Sequence, residues 1–277
     1  MSLKTGEAKQ IAKRMLADYD VQRPNEIFAG RGTDWLTLED AYAIQAAVAE
    51  LRVARGDRCI GYKVGCVSKT IQEQLGLSQF VRGYLWKSEL LISGSRVPYA
   101  PREGCAGNRF VNLAIEGEIA IQLSANFSSE KVDELTLSQC IECWFPVIEL
   151  HNAVFRGPKP TSQELVAGNA MHAGVVVPFR SGDIRLKELA AAEIRIEMDG
   201  KVVETKAVTE HTGGPLASLR RLASMRAPSL GTLKGGDIVL TGSPGRLIPI
   251  EGPCEIAVVC QGQRVELQVQ NHADHGS

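Results

Sequence analysis

The sequence lacks long apolar runs, and nowhere in its 277 residues do apolar residues approach the roughly 18 consecutive positions that a membrane helix needs. The segment from Met1 to Glu7 also lacks the apolar core of a secretory signal. There is no basic block with interleaved aromatic residues, and 31 basic residues nearly balance 32 acidic ones. These absences argue against a membrane protein and against a nucleic-acid-binding protein. We therefore expect a cytoplasmic protein that acts on small molecules or binds other proteins.

Cysteine is present, but in a pattern that argues against a disulfide framework. The count is seven, which is odd, and a chain without an export signal keeps its thiols reduced. Cys140 and Cys143 form a lone Cys-x-x-Cys without a second pair or nearby histidines at zinc-ligand spacing. We interpret the segment from Leu135 to Trp144 as a short helix rather than as a metal site.

The first hundred residues have mainly helical patterns. An amphipathic helix is predicted from Glu7 to Tyr19, and a longer one from Leu38 to Arg55. Thr37 and Asp40 have the spacing of a capping box at the start of the second helix. We therefore expect a mainly helical N-terminal region at residues 1–100.

Strand patterns dominate from Asn112 onward, where Pro215 to Met225 is the one clear helix. Asp199-Gly200 predicts a hairpin between two of these strands. Strands with few helices between them cannot form a regular βαβ array. The predicted fold class is therefore α+β, with a helical N-terminal part followed by a mixed β-sandwich domain at 101–277.

Two glutamates two residues apart interrupt an apolar strand pattern that extends from Leu113 to Leu123. Period-2 alternation places Glu116 and Glu118 on one face of this strand and isoleucines on the other. Neighbouring buried carboxylates repel one another and lose hydration, so they take up protons, bind a cation or lie in solvent. A divalent metal ion satisfies both carboxylates if a third acid lies nearby.

A third acid occurs in the strand pattern from Phe145 to Asn152, where Val147, Glu149 and His151 share one face. Three carboxylates on neighbouring strands form an all-oxygen site, which suits Mg²⁺ or Mn²⁺ far better than zinc. The alternative is that both strands have one solvated face, where acids are common. Spacing alone leaves the two interpretations open.

Four motifs in one order resemble the fumarylacetoacetate hydrolase superfamily, and the likeness extends from about residue 38 to about residue 260. They are Gly61-Tyr-Lys-Val-Gly65, Glu116-x-Glu118 followed by Glu149, Ala167-Gly-Asn-Ala170, and the segment from Gly235 to Pro244. The chain is most similar to the branch of 2-keto-4-pentenoate hydratase and 4-oxalocrotonate decarboxylase. This resemblance implies the mixed β-sandwich roll of that superfamily. It also implies a divalent ion, usually Mg²⁺, held by Glu116, Glu118 and Glu149.

The resemblance further implies a lyase that acts on a small 2-oxo or 2-hydroxydienoic acid through a metal-chelated enolate, most like 2-keto-4-pentenoate hydratase. A homodimer or larger homo-oligomer is implied as well. A 4-oxalocrotonate-type decarboxylase and an acylpyruvate-type C–C hydrolase share the first steps and remain alternatives. A non-catalytic partner subunit with a degenerate site is the alternative from another class.

Several further residues are candidates for contact with the substrate. Lys63 matches the lysine of the hydratase motif, and we expect it to pair with the substrate carboxylate or the developing enolate. Without the resemblance, a surface lysine is the simpler interpretation. Asn169 matches the family motif and is predicted to bind substrate. Thr241 and Ser243 follow an apolar strand and are predicted either to hydrogen-bond the substrate carboxylate or to form an ordinary turn.

Two positions that are acidic in related hydratases are not acidic in this chain. Val81 occupies one of them and Gly168 the other, which weakens the case for water addition more than the case for metal binding. Arg82 is an additional charge beside Val81. It is predicted either to bind a second carboxylate of a dicarboxylic substrate or to face solvent.

Histidine is the natural substitute for a missing acid or base near neutral pH. His172 lies three residues beyond Asn169 and is predicted to be catalytic. His151 shares the face of Glu149, but we assign it to the core or the surface rather than to direct contact. His211 is predicted to lie in an exposed loop.

Overall fold

The computed structural model describes residues 3–25, 27–28, 35–99, 110–126, 134–155, 157, 159–179, 186–210, 213–225 and 233–271. His211 and the C-terminal residues 272–277 lie outside these ranges. The described residues include seven α-helices: α1 (Thr5–Asp20), α2 (Leu38–Ala54), α3 (Lys69–Leu75), α4 (Glu134–Gln139), α5 (Ser162–Ala167), α6 (Leu186–Leu189) and α7 (Gly214–Ser224). Not one of these helices is long and apolar enough to span a membrane.

The three long helices confirm the sequence pattern to within two residues at each end. At the start of α2, Thr37 Oγ1 accepts a hydrogen bond from the Asp40 backbone N–H at 3.1 Å. In return, Asp40 Oδ2 accepts one from the Thr37 backbone N–H at 3.0 Å. The predicted capping box is therefore confirmed, and it fixes where α2 begins.

Thirteen strands form two sheets in the same residues: β1 (Cys59–Gly65), β2 (Val81–Trp86), β3 (Leu90–Ile92), β4 (Ser95–Tyr99), β5 (Leu113–Leu123), β6 (Ile141–Asn152), β7 (His172–Val177), β8 (Glu193–Met198), β9 (Lys201–Ala207), β10 (Ile238–Leu240), β11 (Ile248–Pro249), β12 (Cys254–Cys260) and β13 (Gln263–Asn271). The first sheet has the order β2-β1-β10-β5-β6-β7-β3, with β11 paired to β5. The second has the order β4-β13-β12-β8-β9.

Both sheets are mixed, as the sequence predicts. The pairs β1/β10, β3/β7 and β4/β13 are parallel, whereas the remaining pairs are antiparallel. Asp199 and Gly200 both have positive φ and join β8 to β9, so the predicted hairpin is confirmed. Strands from residues 59–99 pair with strands from beyond residue 113 in each sheet. The division of the chain at residue 100 stays a prediction.

The sequence interpretation is wrong for part of the segment from Leu135 to Trp144. Helix α4 ends at Gln139, and β6 begins at Ile141. Cys143 and Trp144 pair with β5, and this pairing across the sheet outweighs the local helical pattern. No cluster of three metal-ligating side chains in the described part of the chain includes either cysteine of the Cys-x-x-Cys.

The main core lies between the two sheets and determines which face of β5 is polar. Ile115, Ile119 and Ile121 are buried there together with Ile196 of β8. A Cβ atom at Gly117 would meet Ile196 side-chain atoms at 3.0 Å, so the sheets approach too closely for a larger residue without adjustment. The glutamates on either side of Gly117 therefore project from the opposite face.

Candidate active site

Carboxylate, imidazole and ammonium groups converge on the face of the first sheet that points away from the main core. Glu116 of β5 lies opposite Glu149 of β6 in the strand register. His151 Nε2 lies 3.1 Å from Glu116 Oε2 and 3.3 Å from Glu149 Oε2. Lys63 of β1 extends across from the other side, and its Nζ lies 2.9 Å from Glu149 Oε1. The structure thus brings Lys63, Glu116 and Glu149 together.

The donor set fits a hard divalent cation. Glu116, Glu149 and His151 each offer one ligand atom, and these atoms lie within 4.8 Å of one another. Glu118 Oε1 is buried and accepts no hydrogen bond from the part of the chain described. Its other oxygen, Oε2, accepts the backbone N–H of Gly242 at 2.9 Å. Carboxylate oxygens held on paired strands, with one imidazole, suit Mg²⁺ or Mn²⁺.

The charges at the site stabilise Glu149 as an anion. Burial alone would raise the pKa of Glu149. The Lys63 ammonium and His151 lie against its carboxylate, however, and hold this pKa well below its usual range. Burial likewise opposes the charge of Lys63, but the carboxylates of Glu149, Glu118 and Glu116 raise its pKa above the usual value. Lys63 is therefore a buried ammonium, and the alternative of a surface lysine is wrong.

Glu118 and His151 complete this balance of charge. Burial and the neighbouring carboxylates of Glu149 and Glu116 raise the pKa of Glu118 well above its usual value, which favours its neutral form. Burial lowers the pKa of His151, but the charges of Glu149 and Glu116 and the hydrogen bond to Glu116 together outweigh burial and raise the pKa to about 9. The cluster thus limits the repulsion between its acids through the raised pKa of Glu118 and through the positive charge of Lys63 beside Glu149.

His172 also contacts the cluster. Its Nδ1 lies 2.7 Å from Glu149 Oε1, and because a carboxylate only accepts, Nδ1–H is the donor. His172 Nε2 is buried and has no hydrogen-bond partner among the described residues. It lies 4.0 Å from Glu89 Oε2, a second buried atom that lacks a hydrogen bond within the same ranges.

Asn169 holds the turn that leads into His172. Its side-chain Oδ1 accepts the Tyr84 N–H at 2.7 Å, and its Nδ2 donates to the Tyr84 carbonyl at 3.0 Å. Asn169, Ala170 and Met171 all have φ between 53° and 59°, a left-handed turn that is costly for residues with a Cβ. Asn169 therefore binds the edge of β2, and its predicted contact with substrate stays a prediction.

Arg82 lies on the other face of the sheet from Lys63, because it is paired with Val64 in the β1–β2 register. It is only 1% exposed, so the solvent-facing alternative is wrong. Its guanidinium lies 4.6 Å from the centre of the Tyr42 ring and donates to Gln45 Oε1 at 3.3 Å. Arg82 therefore connects β2 to α2, and its predicted role as a substrate ligand stays a prediction.

The hydroxyls of Thr241 and Ser243 bind the backbone of β5. Thr241 Oγ1 donates to the Ile119 carbonyl at 2.8 Å, and Ser243 Oγ donates to the Gly117 carbonyl at 3.2 Å. These bonds place the Gly242 N–H against Glu118. The geometry favours the turn interpretation for both side chains, and their contact with substrate stays a prediction.

The two positions that lack an acid differ in their surroundings. Val81 is buried and shares the face of Lys63, because it pairs with Gly65 in the same register. A Cβ at Gly65 would lie 3.4 Å from both Lys63 Nζ and Val81 Cγ2. Gly168 ends α5, and a Cβ there would approach the Glu164 carbonyl to 3.0 Å. The position that is acidic in related hydratases thus holds an apolar side chain, Val81, on the face of Lys63. The carboxylate that pairs with Lys63 is that of Glu149.

A buried ionic network lies behind His172, and the sequence patterns do not predict it. Arg52 of α2 donates to Glu89 Oε1 at 2.7 Å and to Asp57 Oδ2 at 2.8 Å. Glu89 Oε1 also accepts the Tyr19 hydroxyl at 2.5 Å. No local motif predicts this network, because its members are distant in sequence. The contact of His151 with the glutamates was indicated by the sequence, because His151 lies two residues beyond Glu149 on the same strand face.

A cavity of about 120 Å³ lies beside His172. It is bounded by α1, α2, α5 and the turn from Gly168 to Met171, and the carboxylates of β5 and β6 do not line it. Asn169, Tyr84 and His172 all contribute to its wall. His172 is thus common to the carboxylate cluster and to the cavity.

Comparison with known proteins identifies relatives over most of the chain. Residues 69–274 match the family described as fumarylacetoacetate (FAA) hydrolase, C-terminal. A 2-keto-4-pentenoate hydratase of Paraburkholderia phymatum is 32% identical over 212 residues, which cover 76% of this chain and 78% of that protein. A 2-hydroxypent-2,4-dienoate hydratase of Pseudomonas putida is 29% identical over 194 residues, 70% of this chain and 84% of that protein.

A solved structure establishes the likeness of the fold. The 4-oxalocrotonate decarboxylase from Pseudomonas putida G7, complexed with magnesium and adipate, superposes with a TM-score of 0.85. Its sequence is 22% identical, and the match covers 97% of this chain and 99% of that one. The family pattern over residues 69–274, a hydratase relative above 30% identity and this shared fold agree. The chain belongs to the fumarylacetoacetate hydrolase family.

Proposed function

We propose that the protein is a divalent-metal-dependent lyase that hydrates a small 2-hydroxydienoic acid, in the manner of 2-keto-4-pentenoate hydratase. The observation that carries this proposal is the buried cluster of Glu116, Glu118, Glu149 and Lys63, with His151 and His172 against it. Relatives named as hydratases support the reaction class. The proposal extends to a cytoplasmic protein that assembles as a homodimer or larger homo-oligomer.

In this proposal, Glu116, Glu118, Glu149 and His151 hold Mg²⁺ or Mn²⁺. When bound, the cation supplies Lewis-acid polarisation of the substrate's 2-oxo group and carboxylate. The glutamates cannot all be ionised side by side without a positive charge between them, which agrees with the raised pKa of Glu118 and with the pairing of Glu149 and Lys63. A cation would take over that role and free Lys63 for the substrate.

Lys63 is the residue that we assign to the anionic substrate. Its ammonium is buried, and in a site of low dielectric a fixed positive charge is worth far more than in water. Charge develops on the 2-oxygen when the 2-hydroxydienoate loses its enol proton. Lys63 stabilises that oxygen or the neighbouring carboxylate, while Gly83 on the paired strand leaves space for its side chain.

His172 is the group that we assign to proton transfer. Its Nδ1–H bond to Glu149 fixes the tautomer and leaves Nε2 to exchange a proton with a substrate carbon. The enol proton is lost and a proton is gained at C5, giving a conjugated enone. Water then adds its hydroxyl to C4 and its proton to C3, so that atoms and charge balance.

The direct test is incubation of the purified protein with 2-hydroxypenta-2,4-dienoate and Mg²⁺. We expect the dienol absorbance to decay and 4-hydroxy-2-oxopentanoate to form. Glu116→Gln should slow turnover by more than the roughly 10–100-fold that follows from changing residues that merely orient metal ligands. Glu142→Gln, at an exposed position earlier on β6, is the matched control and should leave the rate unchanged.

A decarboxylase of the 4-oxalocrotonate type is the second candidate. The observation that favours it is the absence of an acid at Val81 and Gly168, since loss of CO₂ requires no activated water. Release of CO₂ from 4-oxalocrotonate, with no consumption of 2-hydroxypenta-2,4-dienoate, would replace the hydratase proposal. Inactivity on both, with cleavage of an acylpyruvate, would refute both assignments in favour of a hydrolase.

A further inference from the structure

We infer that the cavity beside His172 binds the distal end of the substrate and selects an unbranched apolar chain rather than a second carboxylate. This inference rests on the proposed function, because it assumes that the 2-oxo acid end lies at the carboxylate cluster. It adds the choice between an apolar and a carboxylate distal end, because the names of the relatives include substrates of both kinds.

The position of the cavity supports a continuous binding site. His172 Nδ1 contacts Glu149, and the same residue lines the cavity. Its Nε2 is buried and has no hydrogen-bond partner in the described ranges. A buried imidazole nitrogen without a partner costs free energy unless something polar meets it. In this inference, a ligand that extends from the cluster into the cavity passes beside the His172 ring, which borders both.

The lining of the cavity is mostly apolar. Leu16 of α1, Ala49 of α2 and Leu165 of α5 contribute aliphatic surface, and Trp86 and Phe155 contribute aromatic surface. An engineered cavity of roughly 150 Å³ with such a lining binds benzene. By proportion, a cavity of about 120 Å³ holds a chain of about four or five carbon atoms.

The charged residues in the wall do not favour a second anion. Arg52 is already paired with Glu89 and Asp57 at 2.7 Å and 2.8 Å. Arg23 lines the cavity together with two acids, Asp18 and Glu164. A carboxylate at the distal end of a dicarboxylic substrate would meet these acids and lose its hydration.

The test is calorimetric binding of straight-chain 2-oxo acids, from pyruvate to 2-oxohexanoate, to the Mg²⁺-loaded protein. We expect the affinity to rise about fourfold for each added methylene, roughly 60-fold across the series, as the ~0.8 kcal/mol for burying one methylene requires. 2-Oxoadipate, with a carboxylate at the distal end, should bind more weakly than 2-oxohexanoate. A flat series, or tighter binding of 2-oxoadipate, overturns the inference.

Variants of α2 locate the effect in the cavity. Ala49→Leu fills the space, so it should remove most of the gain from pyruvate to 2-oxohexanoate and leave pyruvate binding unchanged. Ala43→Leu, at an exposed position of the same helix, is the matched control and should keep the gain. Ala49→Val is the smaller change if Ala49→Leu does not fold. If the rise in affinity from pyruvate to 2-oxohexanoate persists in the Ala49 variants, the distal chain binds outside this cavity.

The same experiment separates the two proposals. If pyruvate binds only with Mg²⁺ but the series is flat, the proposed function stands and the cavity assignment falls. If no member of the series binds with Mg²⁺ present, the proposed function fails and the cavity assignment fails with it.

Discussion

At the scale of single residues, the site consists of buried charges that stabilise one another. Lys63 and Glu149 are both almost wholly inaccessible, and their charged atoms lie 2.9 Å apart. Removing one partner from such a pair leaves an uncompensated buried charge, which costs more than the pair contributes when intact. The ammonium of Lys63 is therefore part of what lets three glutamates occupy one region of a folded protein.

Lys63→Met tests this charge balance through the free energy of unfolding in urea. In buffer with a chelator, we expect a loss of about 3–5 kcal/mol, because Glu149 keeps its burial but loses its counter-charge. Saturating Mg²⁺ should restore part of the loss, because a bound cation replaces the missing charge and stabilises the folded state.

Lys206→Met is the control for the Lys63 substitution, because Lys206 pairs with Glu210 at an exposed i,i+4 position. Its loss should be far smaller than that of Lys63→Met, because solvent screens an exposed pair, and should not respond to Mg²⁺. An equally small loss for Lys63→Met would remove that residue from the charge balance of the site.

Individual residues also show where sequence reasoning stops. The alternation of β5 and β6 places Glu116, Glu118 and Glu149 on one face, and the structure agrees. Alternation within one strand does not predict which side chains from other strands and turns reach the same site. Arg82 does not share the face of Lys63, and its guanidinium contacts Tyr42 and Gln45 of α2. Its position in a matching segment could not indicate this. The Gly242 amide carries no side-chain signal at all.

At the scale of elements, β5 has two faces with incompatible requirements. One face packs against the second sheet, and the other presents charged groups to the site. Gly117 satisfies both, because it brings the sheets together while its neighbours point outward. The spacing of the two glutamates and the residue between them thus follow from one packing constraint.

Gly117→Val tests this constraint. Its side chain would overlap Ile196, which a single Cβ already approaches at 3.0 Å, so we expect a loss of about 1–3 kcal/mol in unfolding free energy. Ile196→Ala in the same chain should recover part of it, as a double-mutant cycle measures. Gly6→Ala, in an open position of α1, should be neutral or slightly stabilising. Independent, additive losses for Gly117 and Ile196 would contradict the packing argument.

Most helices could be predicted from the sequence, but the pairing of strands within the sheets could not. Capping residues and periodicity gave α1, α2 and α7 to within two residues, because those signals are local. The segment from Leu135 to Trp144 was assigned to a helix, since nothing local reports that its second half pairs with β5. The same reason explains why the predicted helical region at 1–100 also supplies four strands.

At the scale of the whole molecule, the Arg52 network joins the helical layer to the first sheet. Arg52 lies on α2, Tyr19 on α1, and Glu89 beside β3, while Asp57 precedes β1. The Arg52 guanidinium also lies 4.5 Å from the centre of the Trp86 ring of β2. The helices close the cavity beside His172, so this network holds the wall of the proposed binding site in place.

Asp57→Asn tests that connection through the pH dependence of unfolding. Burial alone would raise the pKa of Asp57, but hydrogen bonds from Ser88 and Arg52 lower this pKa below its usual value. A lowered folded-state pKa stabilises the protein above the unfolded value near 3.9, and this contribution disappears as the pH falls through the folded value. At pH 7 we expect Asp57→Asn to cost about 1.5–3 kcal/mol, the range for hydrogen bonds to charged groups.

The difference between wild type and Asp57→Asn should therefore be constant from about pH 5 to 7 and shrink below about pH 4. Asp20→Asn is the matched control, because Asp20 at the end of α1 pairs with Arg55, the residue that follows α2, at 2.8 Å but in an exposed position. Its cost should stay below about 1 kcal/mol. If both substitutions cost the same, burial adds nothing to the Arg52 pair, and packing alone holds the helices on the sheet.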